Sequence, residues 1–190
     1  MKDVTPLAVA AEAGHPDVVK ALLERGATIN SGLDEFPTAS PLHLAVRSGH
    51  SEIAAMLLDK GANIEAEGDI NDIPGPRGRI DGVTPLSHAV LTCRTEVVKL
   101  LLDRGANVAT KDRLGWTPMH FAAHVGSPEI VEMLHAKGGA ENAQTVRGER
   151  PIDLAALRPK TPATRIGGCP NGGKTGPTIK ALKKLGRRSE

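Results

Sequence analysis

Aromatic residues are scarce in this sequence. Its 190 residues include one tryptophan, two phenylalanines and no tyrosine, although 39% of them are hydrophobic. A core with so few rings has to be filled by aliphatic and alanine side chains arranged in many small layers. The chain also lacks an apolar run long enough to span a bilayer, and no secretory segment follows Met1. We therefore expect a soluble intracellular protein, cytoplasmic or nuclear.

Cysteine is equally scarce. Cys93 and Cys169 are the only two, which is too few for a disulfide framework, and they do not have the spacing of metal ligands. We therefore expect a reducing compartment, with no metal and no cofactor bound.

The chain does contain a repeated phrase that opens on proline. Pro85, Pro118 and Pro151 are spaced 33 residues apart, and an apolar residue follows each of them. A fixed period of this length is the signature of a repeat architecture. The openings are Thr5-Pro6-Leu7, Ser40-Pro41-Leu42-His43, Thr84-Pro85-Leu86, Thr117-Pro118-Met119-His120 and Arg150-Pro151-Ile152, and four units close on Gly26-Ala27, Gly61-Ala62, Gly105-Ala106 and Gly138-Gly139.

Each opening predicts two short helices. Threonine or serine is a good N-cap, and proline suits the first position of a helix. Glycine at Gly14, Gly49 and Gly126 allows a turn at positive φ after the first helix. An acidic residue then starts a second amphipathic helix, where it complements the helix dipole. Because one unit cannot bury its apolar face alone, the units have to stack.

The period and the Thr-Pro-Leu-His phrase resemble those of the ankyrin repeat family over residues 3–157. The resemblance implies an all-α solenoid of helix-turn-helix units joined by hairpins or loops. It also implies that His43 and His120 tie neighbouring hairpins together by hydrogen bonds. The predicted units are about 3–35, 38–66, 81–111 and 114–144, and a fifth begins at 148.

Two places extend beyond the regular repeat. The first unit begins close to Met1 with no polar capping unit before it, so we expect either a longer array or a cover over that end. The distance from Pro41 to Pro85 exceeds the period by eleven residues, and the excess lies in residues 67–80. Insertions of this kind mark a binding face or are simply tolerated surface loops, and the sequence leaves both open.

The third unit departs from the pattern twice. Cys93 replaces the turn glycine, where a side chain in the left-handed region costs roughly 1 kcal/mol. His88 replaces an apolar residue, and it must find a hydrogen-bond partner or lie against the surface. A Cys/His dyad is a conceivable catalytic use of this pair, whereas a satisfied structural histidine is the commoner one.

The last part of the chain, residues 158–190, is strongly basic. It has nine lysines and arginines against one glutamate, while residues 1–157 have fifteen against twenty-one acidic residues. We predict a Gly/Pro-rich loop followed by a capping helix that completes an interrupted fifth unit and ends at Gly186. Residues 168–175 match the phosphate-loop pattern, but with no strand before them and no helix after them we predict no nucleotide binding.

These observations predict a non-catalytic scaffold that binds a protein partner on a concave face made of hairpin tips and first helices. No nucleophile, base and orienting group occur together, so we predict that the protein is not an enzyme. Trp116, near Arg113 on a hairpin tip, is expected to be an exposed anchor for the partner, and the alternative is that its ring covers the neighbouring hairpin. The residues predicted to bind the partner are Arg47, Val83, Leu91, Thr92, Arg113, Trp116, His124 and Val125.

Two other functions stay open at this point. The basic tail, through Lys180, Lys183 and Lys184, could contact nucleic acid or an anionic membrane. Against nucleic acid, the tail has no aromatic residue on which a base could stack. A minor enzymatic role is the third alternative, and the identity of the partner is not encoded in any motif.

Overall fold

The repeating unit is a pair of short antiparallel helices. A computed structural model of the chain describes residues 5–30, 40–75, 78–156, 169 and 175–186. For residues 69–75 and 78–80 it describes the backbone only. The first and second helices of units one to five are α1 Pro6–Ala13 and α2 Pro16–Glu24, α3 Pro41–Ser48 and α4 Ser51–Asp59, α5 Pro85–Leu91 and α6 Thr95–Asp103, α7 Pro118–Val125 and α8 Pro128–Ala136, and α9 Pro151–Ala156 and α10 Thr175–Gly186.

The first helices begin where the Thr-Pro and Ser-Pro pairs predict. The hydroxyls of Thr5, Ser40 and Thr84 each accept a hydrogen bond from the backbone N–H three residues later. In the fourth unit Thr117 and His120 form a reciprocal capping box. A capped N-terminus satisfies backbone donors that would otherwise lack partners, so each short helix starts at a defined residue.

The units stack into two layers. Each first helix packs against the first helices of its neighbours, and each second helix packs against neighbouring second helices. The buried positions are mostly alanine, valine and leucine, in agreement with the low aromatic content. The all-α repeat solenoid predicted from the sequence is confirmed.

Two histidines connect successive units through the core. His43 Nδ1 accepts from the Ser40 hydroxyl at 2.9 Å, and its Nε2–H donates to the carbonyl of Val83 in the next unit at 3.0 Å. His120 Nε2–H likewise donates to the carbonyl of Glu149 at 3.1 Å. The connecting role that the resemblance implied for both histidines is confirmed.

The insertion between units two and three forms a β-hairpin, where the sequence analysis expected a loop. β1 Gly68–Gly75 pairs antiparallel with β2 Gly78–Val83, so that Gly68 lies opposite Val83. A Cβ atom on Gly68 would lie 3.1 Å from His43 Nε2, so a small residue is needed beside that ring. The base of the hairpin is therefore held by the same histidine that joins the two units.

The two cysteines form a disulfide, which corrects the expectation drawn from their number. Cys93 Sγ bonds Cys169 Sγ across 76 residues of sequence, and the two Cα atoms are 5.0 Å apart. Sequence spacing could not reveal this pair, because stacking of the units brings them together. Cys93 has φ 54°, in the left-handed region that the turn glycines occupy in the other units, as predicted.

His88 lies in the apolar layer without the partner that the sequence analysis required. It is 2% exposed, and neither ring nitrogen has a hydrogen-bond partner within the part of the chain that the structure describes. Its ring centroid is 6.2 Å from that of His43. Burial, and then the nearby His43 and Arg47, hold the pKa of His88 well below its ordinary value, so the ring is neutral.

The C-terminal helix α10 takes the place of a second helix in the fifth unit. It packs against α9, its partner in that unit, and against α8, the preceding second helix. Its apolar side is buried at Ala181, Leu182 and Leu185, while three lysines are exposed on the other side. The boundary predicted near residue 157 falls outside the described residues and stays a prediction.

The buried histidines predict a stability that decreases in acid. Burial lowers the pKa of His43 from 6.5 to about 4, so below pH 6.5 the unfolded chain binds more protons than the folded one. Above pH 6.5 protonation of His43 should not reduce the free energy of unfolding. Between pH 7 and pH 5 this histidine alone should lower the free energy of unfolding by roughly 2 kcal/mol. Urea denaturation across this range measures it.

A matched pair of substitutions compares how His43 and His88 affect stability. His88→Leu should raise the free energy of unfolding at neutral pH by about 1 kcal/mol, because two unpaired buried nitrogens are removed. His43→Leu should lower it by about 1–3 kcal/mol, because the carbonyl of Val83 loses its donor. Equal effects of the two substitutions would contradict the different roles assigned here to His43 and His88.

The strained turn of the third unit gives a redox-dependent prediction. In a reducing buffer Cys93→Gly should raise the free energy of unfolding by a few tenths to about 1 kcal/mol, because glycine adopts positive φ without strain. In an oxidising buffer the same substitution removes the disulfide and should lower stability by about 2–4 kcal/mol. A substitution effect of the same sign in both buffers would contradict the assignment.

Candidate interaction surface

Short segments precede α5, α7 and α9: the last three residues of β2 and two tight turns. We call them fingers three, four and five (residues 81–83, 111–116 and 144–150). Backbone hydrogen bonds join them in order. The Arg113 N–H donates to the Asp81 carbonyl at 3.5 Å, and the Val146 N–H donates to the Leu114 carbonyl at 3.0 Å. Neighbouring fingers therefore form one continuous edge.

Side chains inside each finger fix its shape. Asp112 Oδ1 accepts from the backbone N–H groups of Leu114 at 2.9 Å and Trp116 at 2.7 Å. Burial of this carboxyl raises its pKa, although the two N–H groups act in the opposite direction. In finger five the Thr145 hydroxyl accepts from the N–H groups of Arg147 and Glu149, each at 3.2 Å. Both turns are thus held before any partner arrives.

Fingers four and five carry four exposed cationic residues and one exposed apolar side chain. Val146 is 69% exposed, the largest value for a big hydrophobic residue among those the structure describes. The Arg113 side chain is 60% exposed and lies 3.6 Å from an Asp81 carboxylate oxygen. We call the set the fingertip strip: Lys111, Arg113, Val146, Arg147 and Arg150.

Trp116 is not an exposed anchor, which corrects the sequence-based expectation. It is 2% exposed, and its ring packs on Phe121 at a centroid distance of 5.2 Å. The rings of His120 and His124 complete the cluster at 6.1 and 5.8 Å. Burial of the largest apolar ring in a core poor in aromatics stabilises finger four against α7, so the side chain turns inward.

Three more of the predicted partner-binding residues have buried side chains. Val83, Leu91 and Val125 all belong to the core. Val83 takes part in joining units through its carbonyl, which accepts from His43. None of these three side chains offers a surface to a partner in this conformation.

The other four predicted residues keep some exposure. Arg47 forms an ion pair with Glu12, and its carbonyl accepts from Arg94 Nε at 3.1 Å. The Thr92 hydroxyl is half-buried and donates to the His88 carbonyl at 2.9 Å. His124 is also half-buried, and Arg113 belongs to the fingertip strip. The structure thus separates the predicted set into two parts, and binding of a partner by the accessible part stays a prediction.

The sequence analysis missed finger five, although the signal was available. Aligning Gly148 with Gly115 places Val146 at the position of Arg113 and Arg147 at that of Leu114. The same 33-residue spacing relates Pro151 to Pro118, so the repeat register already contained this correspondence. A valine at a fingertip position was the feature that could have been recognised.

The described residues contain no group of three or more His, Cys, Asp or Glu side chains that could hold a metal ion. None of their helices has the length and apolar character needed to cross a membrane. The phosphate-loop match at 168–175 lies outside them except for Cys169 and Thr175. Thr175 begins α10, so the expectation that no helix follows the match was wrong.

The comparison with known families agrees with this architecture. A family model described as ankyrin repeats (3 copies) matches residues 2–68 and again residues 67–146, together well over half of the chain. The matched segments contain the four complete helix pairs α1 to α8. From the stacked helix pairs, the histidine connections and this match, we conclude that the chain belongs to the ankyrin repeat family.

Proposed function

We propose that this protein is a non-catalytic scaffold that binds a protein partner along its fingers and first helices. Ankyrin repeats generally mediate protein–protein interaction. The observation that carries the finer proposal is the fingertip strip, in which exposed Val146 stands among four cationic residues. Arg47, Thr92 and His124 extend the surface onto the first helices.

The composition of the strip indicates the chemistry of the partner. Lys111 and Arg147 are exposed and have no ion-pair partner within the described part of the chain. Arg150 forms an ion pair with Asp153, in which Nε lies 3.1 Å from Oδ2, and Arg113 lies near the carboxylate of Asp81. A segment with acidic residues around one apolar side chain complements such a surface, since the charges steer it and Val146 contributes apolar contact.

The hydrogen bonds inside the fingers favour binding. Ordering a mobile loop on association consumes part of the interaction free energy. Here Asp112 and Thr145 already fix the backbone of fingers four and five, and the Val146–Leu114 bond joins the two. The strip is therefore preorganised for a partner.

A catalytic role has less support. Ankyrin repeat proteins are typically non-catalytic scaffolds. The conceivable dyad of His88 and Cys93 does not form a nucleophile and base, because the sulfur of Cys93 is bonded to Cys169. His88 is also buried, out of reach of a substrate in this conformation.

Helix α10 supports a second candidate function, the binding of an anionic partner. Lys180, Lys183 and Lys184 are exposed, and the three residues lie on the side of the helix opposite its buried leucines. Binding through this side would weaken steeply with salt. Binding through the fingertip strip should retain an apolar part at high salt, so a salt titration separates the two.

A double substitution tests the fingertip strip. Val146→Asp with Arg147→Glu should weaken capture of the partner from native lysate at least tenfold, because the apolar contact is lost and the charge reversed. Thermal unfolding should change little, since both side chains are exposed. The matched control is Val18→Asp with Lys99→Glu, exposed residues of the second-helix layer, which should leave capture unchanged.

Two results would count against the proposal. Equal capture of the partner by the double variant and by the control would show that the partner does not bind at the fingertip strip. Loss of capture by Lys180→Glu with Lys183→Glu, and not by the fingertip variant, would favour the anionic partner of α10. Trp116→Ala serves as a separate check, and we expect it to lower the free energy of unfolding by about 3–5 kcal/mol because the ring is buried.

A further inference from the structure

The disulfide connects the turn of unit three to the chain just before the capping helix. Cys93 lies in the turn between α5 and α6, and Cys169 precedes the first residue of α10, Thr175, by six positions. Helix α10 packs on α8 of unit four and α9 of unit five. The disulfide therefore links helix α10, which covers α8 and α9, to unit three.

The turn of unit three differs from those of units one and two in its space for a side chain. In units one and two, a Cβ atom on the turn glycine would come within 2.4 Å of the His50 ring or 3.0 Å of the Arg94 side chain of the following unit. The corresponding residue after unit three is Ser127, whose hydroxyl accepts from the Ile130 N–H of its own helix at 3.3 Å. A small residue that stays on its own helix leaves space for the thiol of Cys93.

Two local departures thus coincide at one turn. Cys93 stands in a backbone conformation that disfavours side chains, and the residue that would cover it is the small Ser127. Neither departure helps the packing of unit three by itself. Together they place one sulfur where the chain before α10 can reach it.

The bridge shortens the connection that holds α10 in place. Eighteen residues separate Ala156, the end of α9, from Thr175, whereas five separate Cys169 from Thr175. The probability that the two ends of a chain segment meet falls with about the 3/2 power of the number of residues between them. The bridge should therefore raise the docking equilibrium of α10 about sevenfold.

We propose that the Cys93–Cys169 pair is a thiol–disulfide exchange site, and that its redox state controls the docking of α10. The reductant is a dithiol, of low molecular weight or on a protein. Its thiolate attacks one cysteine sulfur, which breaks the Cys93–Cys169 bond, forms a mixed disulfide and releases the other cysteine as a thiol. The second thiol of the reductant then attacks the reductant's own sulfur in the mixed disulfide and releases the remaining cysteine. Cys93 and Cys169 leave as two thiols, and the dithiol becomes a disulfide, so two electrons and two protons are transferred.

The surroundings of the pair suit reversible exchange. Both cysteines are half-buried, so a reductant can reach the bridge. The chain has no third cysteine, so an alternative pairing within it is impossible. Helix α10 keeps its own contacts through Thr178, Ala181, Leu182 and Leu185 after reduction. Reduction therefore loosens the cover of α8 and α9 and leaves the stacked units one to three intact.

Hydrogen exchange tests the proposal on the full chain. Amides of residues 179–186 should exchange about sevenfold faster in protein reduced with dithiothreitol than in the oxidised protein. Amides of α3 and α4, which form unit two and lie three units away from α10, should exchange at the same rate in both. Cys169→Ser should reproduce the reduced pattern, and dithiothreitol should have no further effect on it.

The outcomes that would overturn the proposal are distinct. Equal exchange of α10 in the oxidised and reduced proteins would show that the bridge does not control docking. Peptide mapping that finds no link between Cys93 and Cys169 after incubation with oxidised glutathione would exclude the exchange site itself. Cys93→Gly provides an independent check, because it also lacks the bridge and should give fast exchange in α10 while relieving the strained turn.

Discussion

Burial of each helix pair by its neighbours is the constraint on which this structure depends. A single unit has too little apolar surface to bury alone, and its side chains are mostly alanine, valine and leucine. The hydrogen bond from His43 to Val83 fixes how one unit sits on the next and holds the base of the β-hairpin. The same device recurs between His120 and Glu149. Packing and register are thus set unit by unit.

Stability that accumulates between neighbours allows one unit to depart from the pattern. Unit three contains a buried histidine that has no hydrogen-bond partner among the described residues and a cysteine in the left-handed region, and each is unfavourable by itself. The flanking units supply the burial that keeps unit three folded. Such tolerance is what permits a chemical function, here a disulfide, to be placed inside a stack.

The fingers obey a different constraint from the helices. They are joined by single backbone hydrogen bonds and shaped by Asp112 and Thr145, so their tips stay exposed while their backbones are fixed. This difference explains why the side chain of Trp116 is buried and that of Val146 is exposed, although both residues belong to fingers. The ring of Trp116 packs on Phe121 of α7, whereas Val146 occupies the position of the exposed Arg113 in the preceding finger and is itself exposed.

The sequence by itself determined the repeat period, the helix starts at the Thr-Pro pairs, and the left-handed turn at Cys93, because capping and backbone conformation depend on a few adjacent residues. It also identified His43 and His120 through their place in the repeated phrase. The tertiary structure alone decided the disulfide, the burial of Trp116 and the exposure of Val146. These depend on which units lie side by side in space, and the local sequence does not contain that information.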